Sequence, residues 1–236
     1  MSLLEVSRLD AFYGDMQALF DVDLEASAGE VVALIGANGA GKSTLIGSIA
    51  GTVGSKLGTI TFDGKPLAAL RPWDVVAHGI AVVPEGRRLF PSLTVEENLL
   101  MGAHARHKQA RTLKDIYSIF PQLERKRKNL ATALSGGEQH MVAIGRALIS
   151  NPRLLMCDEL SLGLAPVIVQ DIYTILGTIR SLGLTMLIVE QNVSRALAFA
   201  DRAYCLQEGR VSLSGPTAQL THEDVSNAYF GLKAGA

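Results

Sequence analysis

Short, continuous apolar runs recur between helical patterns along the chain, at Val31–Ile35, Ile80–Val83, Leu154–Cys157, Thr185–Val189 and Ala203–Leu206. Unbroken apolarity is what strands covered on both faces require, so these runs predict a largely parallel sheet between helices. Leu3–Val6, Asp21–Glu25 and Gly58–Phe62 alternate instead, which marks strands with one wet face. With Asp63-Gly64 as a hairpin turn, they predict an antiparallel sheet flanking the core. From about Thr94 to Ser150 the pattern is helical, and Met141, Ile144, Gly145 and Leu148 share one stripe of a helix that opens at Gly136-Gly137. The expected class is α/β, with a mostly parallel core sheet, an antiparallel β subdomain and a helical subdomain. We read a single domain over 1–236, its core and β subdomain taking roughly 1–93 and 151–236 and its helical subdomain roughly 94–150. No Pro/Gly/Ser-rich linker, low-complexity tract or internal repeat divides it.

Charge narrows the function classes. With 22 Lys+Arg against 23 Asp+Glu the net charge is -1, so no overall field draws nucleic acid or anionic lipid, and no nucleic-acid partner is expected. Glu5 and Asp10 fall where a secretory signal would be basic and then apolar, and no apolar run approaches the roughly 20 residues of a spanning helix. The expectation is a cytosolic chain whose membrane role, if it has one, works through another subunit. Cys157 and Cys205 sit inside apolar runs, which suits buried thiols in a reducing compartment.

The segment Gly36-Ala37-Asn38-Gly39-Ala40-Gly41-Lys42-Ser43-Thr44 fits G-x-x-x-x-G-K-[ST], directly after one predicted strand and before the apolar helix Leu45–Ala50. Its glycines let successive N–H groups turn inward, and a helix N-terminus adds its positive dipole end toward a di- or triphosphate. Lys42 is placed to reach the β- and γ-phosphates and Ser43 to ligate Mg²⁺. A second apolar strand ends in Asp158-Glu159. Asp158 suits Mg²⁺ coordination, usually through water, and Glu159 suits orienting and deprotonating an attacking water. An apolar run ending in two carboxylates is an ordinary strand end on its own, and the phosphate loop is what gives it chemical meaning. Between them, Leu134-Ser135-Gly136-Gly137-Glu138-Gln139 opens the helix that carries Arg146. Ser135 is the expected cap, and such a terminus can also receive an anion. No Asn-Lys-x-Asp guanine reader occurs, which argues against a GTPase.

Strand, phosphate loop, Leu-Ser-Gly-Gly-Glu-Gln and hydrophobic-Asp-Glu in this order resemble the ATP-binding cassette ATPases of ABC transporters, a branch of the P-loop NTPases. The resemblance implies that Tyr13 stacks on adenine, that Ser161–Leu164 is the D-loop and that Val189-Glu190-Gln191-Asn192 is the switch segment. It also implies head-to-tail pairing of two cassettes, in which Ser135, Gly136, Gly137, Glu138 and Gln139 of one close over the γ-phosphate held by the other. ATP and Mg²⁺ are then the cofactors. The implied partners are membrane permease subunits, a homologous ATPase subunit in a homo- or heterodimer, and an extracytoplasmic substrate-binding protein. The implied location is peripheral, on the inner face of the cell membrane.

Pro84-Glu85-Gly86-Arg87-Arg88-Leu89-Phe90, Leu93–Leu99 and Ser161–Pro166 further resemble the second ATPase subunit of high-affinity branched-chain amino acid importers. Glu85 stands where most ABC ATPases have glutamine, and Gln191 where most have histidine. The resemblance thus implies Lys42, Glu159 and Gln191 in catalysis, with Ser43, Glu85 and Asp158 on the metal. A carboxylate at Glu85 implies a greater need for Mg²⁺, and Gln191 cannot titrate near neutrality. Alternatives are a cassette of the same fold driving urea or amide import or lipopolysaccharide export, and a nucleotide-gated module without turnover. A soluble ABC protein of translation or DNA repair would carry two fused cassettes or a large insertion, and this chain has neither.

The remaining features carry less. His104 and His107 have no Cys, Asp or Glu beside them and do not read as a zinc site. Arg125-Lys126-Arg127-Lys128 is expected to be a solvated run, or one turned toward anionic headgroups. Trp73 with Leu89 and Phe90 reads equally as a groove for a permease helix or as core. Leu160 replaces the proline that usually follows the catalytic Glu, so a looser entry to the D-loop is expected. His140 is expected to be solvated.

Overall fold

A computed structural model describes residues 2–67, 70–105 and 111–230. In chain order the elements are β1 (Ser2–Tyr13), β2 (Met16–Ser27), β3 (Val31–Ile35), α1 (Lys42–Ile49), β4 (Ser55–Phe62), β5 (Lys65–Pro66), α2 (Pro72–Ala77) and β6 (Ile80–Val83). They continue as α3 (Val95–Met101), α4 (Leu113–Ile119), α5 (Pro121–Arg125), α6 (Gly136–Leu148), β7 (Leu154–Asp158) and α7 (Pro166–Ser181). The chain finishes with β8 (Thr185–Glu190), α8 (Val193–Phe199), β9 (Arg202–Gln207), β10 (Arg210–Pro216) and α9 (His222–Phe230). They pack as two compact units, Met1–Val75 with Thr185–Ala236, and Val76–Leu184.

In the first unit every residue of β3 and of β8 is buried, as continuous apolarity demands. Strand β3 runs parallel to both β8 and β9, with Ile35 opposite Glu190 on one side and Cys205 on the other. Strand β10 closes this sheet antiparallel to β9, and its alternating half-exposed residues explain why no apolar run announces it. The antiparallel sheet has the order β2-β1-β4-β5. Strands β1 and β2 extend well beyond the alternating windows, because bulges interrupt the alternation where Arg8 and Asp21 take left-handed backbone.

In the second unit β6 and β7 pair in parallel with Val83 opposite Cys157, so the turns after the two strands emerge at the same C-terminal edge. Helix α6 buries Val142, Ile144 and Leu148 completely. Each such burial stabilises by roughly 1.5–3 kcal/mol, which holds the helix along its apolar stripe. Helix α3 starts with a reciprocal capping box between Thr94 and Glu97. Among the described residues, no helix is long and apolar enough to cross a membrane.

Candidate active site

The phosphate loop turns off the end of β3 and leads straight into α1. Gly41, the helix cap, has φ 105°, and a side chain there would meet Leu19 Cδ2 at 2.7 Å, so backbone freedom and clearance both demand glycine. Lys42 is 4% exposed because its chain folds back over the loop. Its Nζ donates to the carbonyls of Gly36 at 2.8 Å and Ala37 at 2.9 Å, placing an ammonium inside the curl. Asn38, Gly39 and Ser43 are exposed, and no heavy atom lies within 4 Å of where a side chain on Gly39 would begin. The loop therefore presents backbone N–H groups, one hydroxyl and a fixed cation to an open face, the donor set that a phosphate chain takes.

Two residues distant in sequence join this loop. Tyr13, at the end of β1, is 51% exposed and its hydroxyl lies 3.5 Å from Thr44 Oγ1. A half-bare ring beside the loop suits stacking on a base. Gln191 follows β8, and its Nε2 donates to Asn38 Oδ1 at 2.9 Å. The parallel pairing of β3 with β8 brings the two chain ends side by side, a relation invisible to local sequence reading.

The second unit holds the carboxylates and the Ser-Gly-Gly helix. Asp158 is the buried last residue of β7, and Glu159 follows it in left-handed backbone at φ 48°. Non-glycine residues hold that conformation infrequently. Leu162 N–H donates back to the Glu159 carbonyl at 3.2 Å, and Leu160 is buried at 4%. Leu160 thus packs into the interior at the position that the resemblance gives to proline. Glu85 is exposed two positions beyond β6. In this unit Glu85 and Asp158 carry carboxylates, and in the other Ser43 carries a hydroxyl, each a hard oxygen donor of the kind Mg²⁺ takes. That ion is usually held by one or two carboxylates together with substrate phosphates. Among the described residues no group of three or more His, Cys, Asp or Glu could hold a metal ion.

Ser135 caps α6 through a full capping box, accepting from Glu138 N–H while Glu138 accepts from Ser135 N–H at 3.0 Å. Glu138 also takes a 2.6 Å bond from Lys126, which, followed by the Ser135 contacts, holds its carboxyl below the usual range. Lys126 thus steadies the helix start, while Arg125, Arg127 and Lys128 are exposed as expected.

His140 is corrected: it is 4% exposed, and its Nδ1 meets the Gly136 carbonyl at 2.9 Å. Burial, with the nearby Arg87 charge, lowers its pKa despite that hydrogen bond. The unfolded chain therefore binds the proton more readily, and stability falls as pH drops below about 6.5. Substituting His140→Gln is expected to flatten that acid side, as thermal melts between pH 7 and 5 will show.

Trp73 is 61% exposed under the Arg71 guanidinium, 4.6 Å from its ring, which removes its core-packing reading. Cys157 and Cys205 are buried free thiols, and desolvation followed by the Asp158 charge pushes Cys157 up to about 12. His107 and the side chain of His104 lie outside the described residues.

Sequence reading missed the tie between the turn after Glu85 and α6. Arg146 donates to the carbonyls of Arg87 and Arg88, and Arg87 donates to Gln139. The available signal was the spacing of Gln139 and Arg146, seven residues apart and hence on one helix face.

The ABC transporter family profile matches residues 19–161. Among curated relatives, the high-affinity branched-chain amino acid transport ATP-binding protein BraG of Pseudomonas aeruginosa is 46% identical over 97% of this chain and 100% of its own. A probable branched-chain amino acid transport ATP-binding protein LivF of Archaeoglobus fulgidus is 37% identical over 98% and 99%. The lipopolysaccharide export system ATP-binding protein LptB of Escherichia coli K12 is 33% identical over 98% of each. Among solved structures, a nucleotide-free ATP-binding cassette from an ABC transporter superposes with TM-score 0.83 at 27% identity, covering 97% of this chain and 95% of that one.

Proposed function

This chain belongs to the ABC transporter ATP-binding family, and on that premise we propose that it is the ATP-hydrolysing subunit powering import of branched-chain amino acids. The observation that carries the reading is the loop on β3, with Lys42 Nζ folded onto the Gly36 and Ala37 carbonyls at 2.8 and 2.9 Å. That arrangement holds a positive charge inside the loop, which matches the charge of a triphosphate. For the cargo, 46% identity to a branched-chain amino acid subunit against 33% to a lipopolysaccharide-export subunit favours amino acids. The latter relation keeps lipopolysaccharide export as the second reading.

In this reading Gly36–Thr44 binds the phosphates of ATP and Tyr13 stacks on adenine. Ser43, Asp158 and Glu85 hold Mg²⁺, which when bound neutralises charge developing on the β- and γ-phosphate oxygens. Glu159 orients the attacking water and accepts its proton. Gln191, fixed through Asn38, donates from its carboxamide to the γ-phosphate. Ser135–Gln139 of a second cassette, identical or homologous, covers that phosphate from the opposite side with the N-terminus of its α6. The chain works as one cassette, with residues 94–150 as its helical subdomain. It lies on the cytoplasmic face against permease subunits that receive cargo from an extracytoplasmic binding protein.

Because a carboxamide does not titrate, Gln191 contributes no pKa to hydrolysis. Gln191→His is expected to introduce a dependence of kcat near pH 6.5, where imidazole changes charge. A superimposable pH profile for the variant would remove Gln191 from the γ-phosphate. The cargo is tested by assembling the chain with its permease, companion ATPase and binding protein in proteoliposomes. ATP-driven accumulation of radiolabelled leucine is the expected result, and accumulation of none of leucine, isoleucine or valine would overturn the reading.

A further inference from the structure

The turn after Glu85 is held in a shape that its residues do not favour. Gly86, Arg87 and Arg88 take φ of 71°, 65° and 43° in succession. Left-handed backbone is unfavourable for the two arginines, and such a run persists only where surroundings over-determine it.

Those surroundings are one face of α6. Arg146 sends one guanidinium nitrogen to the Arg88 carbonyl at 2.7 Å and another to the Arg87 carbonyl at 2.9 Å. The Arg87 guanidinium donates in turn to Gln139 Oε1 at 2.7 Å. Arg146 also lies over the Phe90 ring, 5.7 Å from its centre, which limits its freedom on the other side. A planar fork bonded to two successive carbonyls fixes both peptide planes at once. Lysine, with one point of charge on a flexible stem, cannot do this. Glu85 immediately precedes this turn, and the Arg87 N–H donates across it to the Pro84 carbonyl at 3.3 Å.

We propose that Arg146 and Arg87 are positioning residues that lock the Glu85 turn onto α6 and so set how tightly the chain holds the divalent cation of its nucleotide. The proposal rests on Glu85 as a metal residue. Neither arginine touches the reacting atoms in this scheme. Their effect passes through the placement of one carboxylate, for which a few tenths of an ångström decide whether an oxygen reaches a small octahedral ion.

The test uses the purified full chain, a non-hydrolysable ATP analogue and Mn²⁺, whose binding is read by electron paramagnetic resonance. Four proteins are compared: wild type, Arg146→Lys, Glu85→Gln and the double variant. Arg146→Lys is expected to weaken Mn²⁺ binding about fivefold, the scale of one ordinary hydrogen bond, and Glu85→Gln at least as much. In the double variant the arginine change should add nothing, and nucleotide binding in EDTA should match wild type. Equal weakening by Arg146→Lys with and without Glu85 would overturn the positioning role, as would no weakening where Glu85→Gln alone weakens. If Glu85→Gln leaves Mn²⁺ binding intact, the metal role of Glu85 fails, and the proposal fails with it. Should Arg146→Lys melt below working temperature, Arg87→Gln severs the Gln139 bond while leaving the Arg146 bonds in place, and is judged by the same comparisons.

Discussion

Replacing Glu159 with glutamine is expected to lower ATP turnover by about 10²–10⁴-fold, the range over which a positioned general base acts. The side chain leaves a buried strand whose last residue, Asp158, is itself buried, and its backbone sits at φ 48°. That geometry depends on main-chain bonds and on burial of Leu160, none of which the amide alters. Glutamine keeps the shape and removes only the proton acceptor. ATP binding should therefore persist, and the melting temperature should stay close to wild type. Phosphate release assayed with and without saturating Mg²⁺ checks the first point, and a fluorescent ATP analogue checks the second. Turnover within threefold of wild type would move the base elsewhere.

Lys42→Ala is expected to act on binding instead. The ammonium, 4% exposed inside the loop, faces two carbonyls. Its loss leaves those acceptors unanswered and withdraws a positive charge from the place where phosphate oxygens are received. With charged hydrogen bonds contributing about 1.5–3 kcal/mol each, ATP affinity should fall roughly 100-fold. Lys42→Arg should not restore it, because a planar five-donor head does not fit space cut for a slender stem. Equilibrium titration with the fluorescent analogue decides the matter, and affinity unchanged by Lys42→Ala would show that the phosphates bind elsewhere.

Much of the site was legible in the residue order because its chemistry is local. The phosphate loop is nine consecutive residues between an apolar run and a helix, and Ser135 with Glu138 forms a capping box within one turn. Strands β3, β7 and β8 are buried on both faces, and their composition says so. The relations that escaped were set by pairing across long separations. Gln191 meets Asn38 only because β8 lies beside β3, and Arg146 reaches Arg87 only because α6 packs over the turn after β6. His140 departs from the expectation of a solvated residue for a different reason. Its polarity suggested water, yet it shares a helical stripe with Ile144, Ala147 and Leu148, all buried, and its ring meets a carbonyl one turn back. Periodicity outweighed side-chain type. Strands β1 and β2 run past their alternating windows because bulges shift the alternation that marks a strand.

In the proposed function, ATP is hydrolysed at a site completed by a second cassette. Its most direct test is steady-state turnover per chain measured across protein concentration at saturating Mg²⁺ and ATP, in the purified chain and in the assembled transporter. Turnover per purified chain is expected to rise with concentration and then level off as pairing saturates, turnover of the assembled transporter to be independent of concentration, and Glu159→Gln to lower both about 10²–10⁴-fold. Turnover per purified chain that is flat from the most dilute sample upward would contradict the shared site, and absence of turnover in the assembled transporter would contradict the motor itself.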